Sequence, residues 1–332
     1  MRSLTALALV LAAAPALAAP PKVMTDIPAV HALTASVMGD LGTPGILLDQ
    51  GADAHHFQLR PSQAKALSEA DLLLWIGPRM TPWLERAVAG VGLAGESVIL
   101  IEAPGTFRRD FDEAAGKDGH ADEDDHAEAH DHVEEDHAHG QEDHAGADDH
   151  DHGHAKTGLD PHAWLDPENA RVWTRLIADR LAALDPGNGA AYAANAAATL
   201  AAIDAAEAET RALLAPVDDA AIMVFHDAYG YFADHFGVNV AGAIALGDAA
   251  DPGAGRLDAL RDELRHEGVA CIFPEAQHDP AYVAAIVEGT GTRVGAPLDP
   301  SGSTLAYGPD LYPALLTGLA RSIADCVTGA GG

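Results

Sequence analysis

Three separated histidines and one aspartate occupy places where a folded chain could bring them together. His55, with His56 beside it, follows the run "GILLDQGAD". His162 stands between two Asp-Pro pairs in "DPHAWLDP", ahead of a helix-like segment. His226 closes the apolar run "AIMVFH", and Asp299 follows "TRVGAPL". Short apolar runs of this kind read as strands. His55, His226 and Asp299 therefore lie just past strand carboxyl ends, where open α/β sheets bind their ligands. Neutral imidazole suits zinc, and zinc favours four tetrahedral donors. Each residue taken alone has a plainer reading, as a helix cap or a satisfied polar group. The spacings are long and lack the local specificity of a compact zinc-finger motif.

The densest histidines lie elsewhere. Residues 118–156 read "DGHADEDDHAEAHDHVEEDHAHGQEDHAGADDHDHGHAK". They hold His120, His126, His130, His132, His137, His139, His144, His150, His152 and His154. Almost nothing in this stretch could pack a core, so residues 112–157 are expected to form a disordered loop. Irregular spacing argues against one preorganised tetrahedral cage. Several weak, exchangeable metal sites are expected there, as an accessory to a tighter site elsewhere. His31, His235 and His266 fall inside helix-like segments and read as ordinary surface or packing residues. His278 sits at a helix entry and could be a cap, though it too lies beyond a strand.

The surrounding elements must position the candidate ligands. The start "MRSLTALALVLAAAPALAAPPKV" has a basic n-region, a short apolar core and small residues before Ala18. It reads as a secretory signal peptide over residues 1–18, and the periplasm is the expected location. The apolar run is too short to span a bilayer. A chain of 332 residues is long enough for two domains. Its formal net charge of −32 would repel nucleic acid and anionic membranes and points to cationic partners. In an oxidising compartment the two cysteines, Cys271 and Cys326, favour a disulfide. A pair of thiolate metal ligands is the rival, weakened by the absence of a CxxC spacing.

Strand-like and helix-like segments alternate from "KVMTDI" to "SVILIE", and again from "AIMVFHD" to the closing "LYPALLTGLARSIADCV". Such alternation builds parallel sheets from βαβ units. Between the two halves lies "GAAYAANAAATLAAIDAAEAETRALLAP", rich in the best helix former. A helix of roughly 26 residues there would be about 39 Å long, a stiff connector. The expected fold is α/β with two lobes, each a parallel-type sheet flanked by helices. The lobes span residues 19–186 and 216–332, a rigid linker helix spans 187–215, and the metal site lies in the cleft between them.

"GADAHHFQLRPSQAKALSEADLLLWIGPRMTPWLE" resembles a signature of the metal-binding proteins of ABC importers. "DPHAWLDPENAR", "FHDAYGYFADHFG" and "PEAQHDP…LDPSGS" resemble the later signatures of that family, in order. The resemblance runs over almost the whole mature chain and is strongest to the zinc branch, where His-rich insertions also occur. It implies His55, His162 and His226 as zinc ligands, with Asp299 or water in the fourth position. It implies a disulfide between Cys271 and Cys326, because some zinc members carry one. It also implies a cargo of Zn2+, a membrane permease of a zinc ABC transporter as partner, and a monomer without enzymatic activity. Some zinc members have a glutamate where this chain has Ala54, so that contact is missing here. Relatives that carry manganese or iron usually place a glutamate where this chain has His226. A manganese or iron carrier is the alternative, followed by a zinc buffer and a zinc hydrolase. The hydrolase reading lacks an HExxH motif. His56 is at most a supporting residue, and Asp166 or Asp227 could orient an imidazole or simply cap a helix.

Overall fold

The computed structural model describes residues 19–111, 158–245, 254–266 and 268–330. The expected signal peptide and the His-rich stretch lie outside the described residues. So do the accessory histidines within that stretch.

Prolines punctuate the first half. Pro28, Pro61, Pro82 and Pro167 each sit in the first turn of a helix, where a missing N–H costs nothing. These helices are α1 (Pro28–Met38), α2 (Pro61–Ser68), α3 (Pro82–Val91) and α4 (Pro167–Leu184). Between them run the strands β1 (Val23–Thr25), β2 (Gly45–Ile46), β3 (Leu72–Trp75) and β4 (Glu96–Ile99). All their pairings are parallel, in the order β2-β1-β3-β4. The strand β3 is buried at every position, which explains why "LLLW" is a continuous apolar run rather than an alternating one.

The helix α5 (Gly189–Leu214) follows, with the 26 residues expected of it. Its buried positions are Tyr192, Ala196, Thr199, Ile203, Ala206, Thr210 and Leu214, a repeat of three and four that keeps one stripe inward. The second half then repeats the pattern of the first. Its strands are β5 (Ile222–Val224), β6 (Val240–Ala243), β7 (Cys271–Ile272) and β8 (Arg293–Val294). They pair in parallel as β6-β5-β7-β8, the same order as the first sheet. Its helices are α6 (Gly230–Phe236), α7 (Ala254–His266), α8 (Ala281–Val287) and α9 (Leu311–Thr328).

The linker helix is not a bare strut. It packs against α1 and α4 on one side and α9 on the other. One apolar core runs through both halves, joining Val23 and Leu74 to Ile222 and Phe273. The closing helix α9 also reaches α1, and the Tyr312 hydroxyl donates to the Trp164 carbonyl at 2.8 Å. Cys271 in β7 is bonded to Cys326 in α9.

His235, read from sequence as an ordinary residue, holds the halves together instead. Its Nδ1 lies 2.9 Å from Asp166, the N-cap of α4, and its Nε2 lies 2.9 Å from Glu207 on α5. The bond to Asp166 is the main reason its pKa is raised. Burial alone would raise the Glu207 carboxyl. Hydrogen bonds from Arg171, His235 and Arg211 outweigh burial and hold it at about 2.

Candidate metal centre

Each candidate histidine arrives on a different element and is fixed by a different device. The chain leaves β2 through Leu47 and Leu48, whose amides bond to the carbonyls of Thr25 at the end of β1 and Asp26 just after it. It then turns at Gly51, whose positive φ of 76° suits glycine. The Asp53 carboxylate accepts the amide of His55 at 2.8 Å, a local turn that aims the ring inward. The Trp83 indole pins the Ala54 carbonyl at 2.8 Å. His56 faces outward and pairs with Asp53 at 3.2 Å.

His162 is fixed from within its own motif. One oxygen of Asp160 accepts both its amide, at 2.9 Å, and its Nδ1–H, at 2.8 Å. Asp160 is fully buried, and its other oxygen accepts from Arg109 at 3.2 Å. The Tyr231 hydroxyl donates to the Asp160 carbonyl at 3.0 Å, so the second half supports the ligand loop of the first. His226 follows β5 by two residues. Its Nδ1 donates to Glu275 across 2.5 Å. Glu275 follows β7, the sheet neighbour of β5, so adjacent strands deliver both groups to one edge.

These bonds commit the Nδ1 protons of His162 and His226 and turn their Nε2 lone pairs toward each other. The two Nε2 atoms stand 3.4 Å apart. Donor atoms at zinc–nitrogen distances from one tetrahedral zinc lie about 3.3 Å apart. The His55 ring is 5.4 Å from that of His162 and 6.1 Å from that of His226. One ligand atom from each of the three lies within 4.8 Å of the others. The cavity they line measures about 20 Å³, room for an ion or one water.

Electrostatics keep the His55 imidazole neutral here. Burial first, then the neighbouring His162 and His226, push the His55 pKa well below 6.5, while Asp53 opposes them. The fold thus stores a neutral imidazole ready to bind metal. The neutral form is favoured in the fold and not in the unfolded chain. Its contribution to stability is therefore present above pH 6.5 and is lost as pH falls below it. In the metal-free protein, an NMR titration should find His55 still neutral at pH 6.5, where a free imidazole is half protonated. Titration of His55 at or above pH 6.5 would contradict this placement.

The structure does not bring Asp299 into the group. Its Oδ1 accepts from Gln277, Ser301 and the Ser303 amide, each at 3.1 Å. Its Oδ2 accepts from the Thr304 amide at 2.8 Å and hydroxyl at 2.6 Å. A carboxylate has about four lone-pair positions, so these donors saturate it and make it the organiser of its own loop. Asp166 and Asp227 do not hold an imidazole of the group either. Asp166 caps α4 through the Glu168 amide at 2.8 Å. Asp227 lies beside Asp160, and burial, then that charge, raises its pKa. The carboxylates that hold these imidazoles are Asp160 and Glu275, neither singled out from sequence. Asp160 stands two residues before His162, a local signal. Glu275 lies 49 residues from His226, and only the strand order joins them.

Phe111 and Gly158, which flank the His-rich stretch, meet beside this site. The Phe111 amide donates to the Gly158 carbonyl at 2.9 Å. The Phe111 ring is 6.5 Å from that of His162.

Comparison with known proteins points the same way. A family model described as "Zinc-uptake complex component A periplasmic" matches residues 23–326. The high-affinity zinc uptake system protein ZnuA of Paracoccus denitrificans (strain Pd 1222) is 48% identical over 322 residues, 97% of this chain and 96% of that protein. Among solved structures, the SBP FpvC from Pseudomonas aeruginosa in complex with Mn2+ matches with a TM-score of 0.73. Its identity is 19%, over 94% of this chain and 100% of that one. The periplasmic zinc binding protein TroA from Treponema pallidum matches with a TM-score of 0.69. Its identity is 17%, over 93% and 99% of the two chains. These two likenesses establish a common fold.

Proposed function

The chain belongs to the ZnuA family of periplasmic zinc-uptake components, and on that premise we propose that it captures Zn2+ and delivers it to the membrane permease of an ABC transporter. His55, His162 and His226 are the proposed ligands. The observation that carries the reading is the 3.4 Å separation of the facing Nε2 atoms of His162 and His226. Water is the proposed fourth ligand, since Asp299 is engaged by its own loop.

Three neutral imidazoles favour zinc over manganese, a harder cation that prefers carboxylate oxygens. A competition titration against a chelator of known affinity tests this. Zinc should displace manganese completely at equal concentration, and a preference for manganese would sink the assignment. The protein is proposed to act in the periplasm as a monomer, after cleavage behind Ala18, and as a carrier rather than an enzyme. Lobes at residues 19–186 and 216–332, joined by a linker over 187–215, are the proposed units of any motion. The packing of α5 against both halves and the His235 cluster favour small movements over a wide hinge. The histidines between residues 112 and 157 are proposed to collect zinc beside the entrance, since Phe111 and Gly158 meet there.

Carboxylates that orient metal-bound imidazoles typically matter by 10–100-fold in affinity. Asp160→Asn and Glu275→Gln should each weaken zinc binding by about that factor. Chelator competition on the intact chain reads this out. Unchanged affinity in both variants would remove the orienting role.

A further inference from the structure

A second set of donors shares the cavity of the three imidazoles. His226, Glu275 and His278 each offer a ligand atom, all within 4.8 Å of one another. The local sequence explains the convergence. Residues Met223 of β5 and Ile272 of β7 are register partners, so His226 and Glu275 leave the sheet edge side by side. The His278 amide then donates to the Glu275 carbonyl at 3.2 Å, a turn that folds the chain back. The His278 ring stacks on Phe225, the residue before His226, with centroids 4.2 Å apart and planes at 16°. Glu275 is only 4% exposed, and His278 is half-buried and lines the same cavity.

We propose that His226, Glu275 and His278 form a second, weaker subsite for the cargo cation, beside the three-imidazole site. The proposal rests on the three-imidazole reading above, because His226 belongs to both sets. A neutral imidazole has one lone pair. A cation on Nε2 leaves the proton on Nδ1, where it is donated to Glu275. A cation on Nδ1 requires the proton on Nε2. Passage between subsites therefore removes one proton from Nδ1 and adds one to Nε2, carried by water, with no net change in charge. The two subsites are mutually exclusive for the same reason.

Geometry sets their order of affinity. The Nε2 atoms of His162 and His226 already stand 3.4 Å apart, close to the edge of a zinc tetrahedron. The contact of Glu275 with Nδ1 is 2.5 Å, so a cation entering there must break that hydrogen bond and part its donors. Two imidazoles and one carboxylate are nonetheless a donor set that zinc accepts. A cation moved there has left His55 and His162 and gained Glu275 and His278.

Crystals of the full chain grown with zinc chloride test the proposal by anomalous scattering on either side of the zinc edge. The unsubstituted protein should place its peak among His55, His162 and His226. Its absence there would sink the three-imidazole reading itself. In His162→Ala the peak should move to Glu275 and His278, and it should vanish from the cavity when His278→Ala is added. His55→Ala serves the same purpose if His162→Ala does not fold. A peak retained at the first site with none at Glu275 and His278, or no peak in the cavity of either single variant, would overturn the subsite alone.

Discussion

Replacement of His162 by alanine should abolish tight zinc binding. The orienting carboxylates are expected to matter by 10–100-fold, and the loss of a ligand must exceed the loss of its support. His162 is 1% exposed and its ring lies 5.4 Å and 5.3 Å from the other two imidazoles, so its loss opens one corner of the donor triangle. The fold should survive. Alanine keeps the amide that Asp160 accepts, and Asp160 keeps its ion pair with Arg109. The vacated ring volume should cost about 1–3 kcal/mol. Competition with a tight chelator separates this site from any weak binding elsewhere on the chain, which such a chelator strips. Tight binding that persists in His162→Ala would place the site elsewhere, with the His-rich stretch as the first suspect.

The prediction depends on residues of unequal legibility. The helix starts at Pro61 and Pro167 are legible in the sequence because proline suits the first helical turn. The linker helix was plain because alanine predominates over its whole length. The strands were found but overdrawn. In "VACIFPE" the strand β7 covers only Cys271–Ile272, and Glu275 adds a single parallel bridge to Leu298. The three histidines could be picked out by their places beside strand ends and turns. Their supporting carboxylates could not, because proximity in sequence pointed to Asp227 and Asp166. The fold instead uses a carboxylate from the adjacent strand for His226 and one upstream for His162. Asp299 misled for a related reason. It lies beyond a strand end, but the Ser-Gly-Ser-Thr segment after it supplies donors that claim its oxygens. His235 carried no sequence signal, since its partners come from α4 and α5. Position along the chain shows what a residue approaches, and only tertiary contacts decide what it meets.

The disulfide should have the largest effect on stability. It joins residues 55 apart in sequence. Closing a loop of that size removes roughly 4 kcal/mol of unfolded-chain entropy in the loop-closure model. The bond ties a strand of the second sheet to the helix that lies along α5, so it couples the sheet to the shared core. Cys271 is fully buried, and alanine is the better replacement because a serine hydroxyl there would need a partner. Cys271→Ala with Cys326→Ala should therefore lose about 4 kcal/mol in guanidinium unfolding. The unsubstituted protein should lose a similar amount on reduction. The effect should reach the metal site, since Glu275 follows Cys271 by four residues and holds Nδ1 of His226. The apolar face of α9, from Leu311 to Ala324, still packs without the bond and limits the damage to partial loosening. Zinc affinity should fall by less than for Glu275→Gln. A loss under about 1 kcal/mol in unfolding would mean that α9 packing already restrains this segment and that the bond adds little.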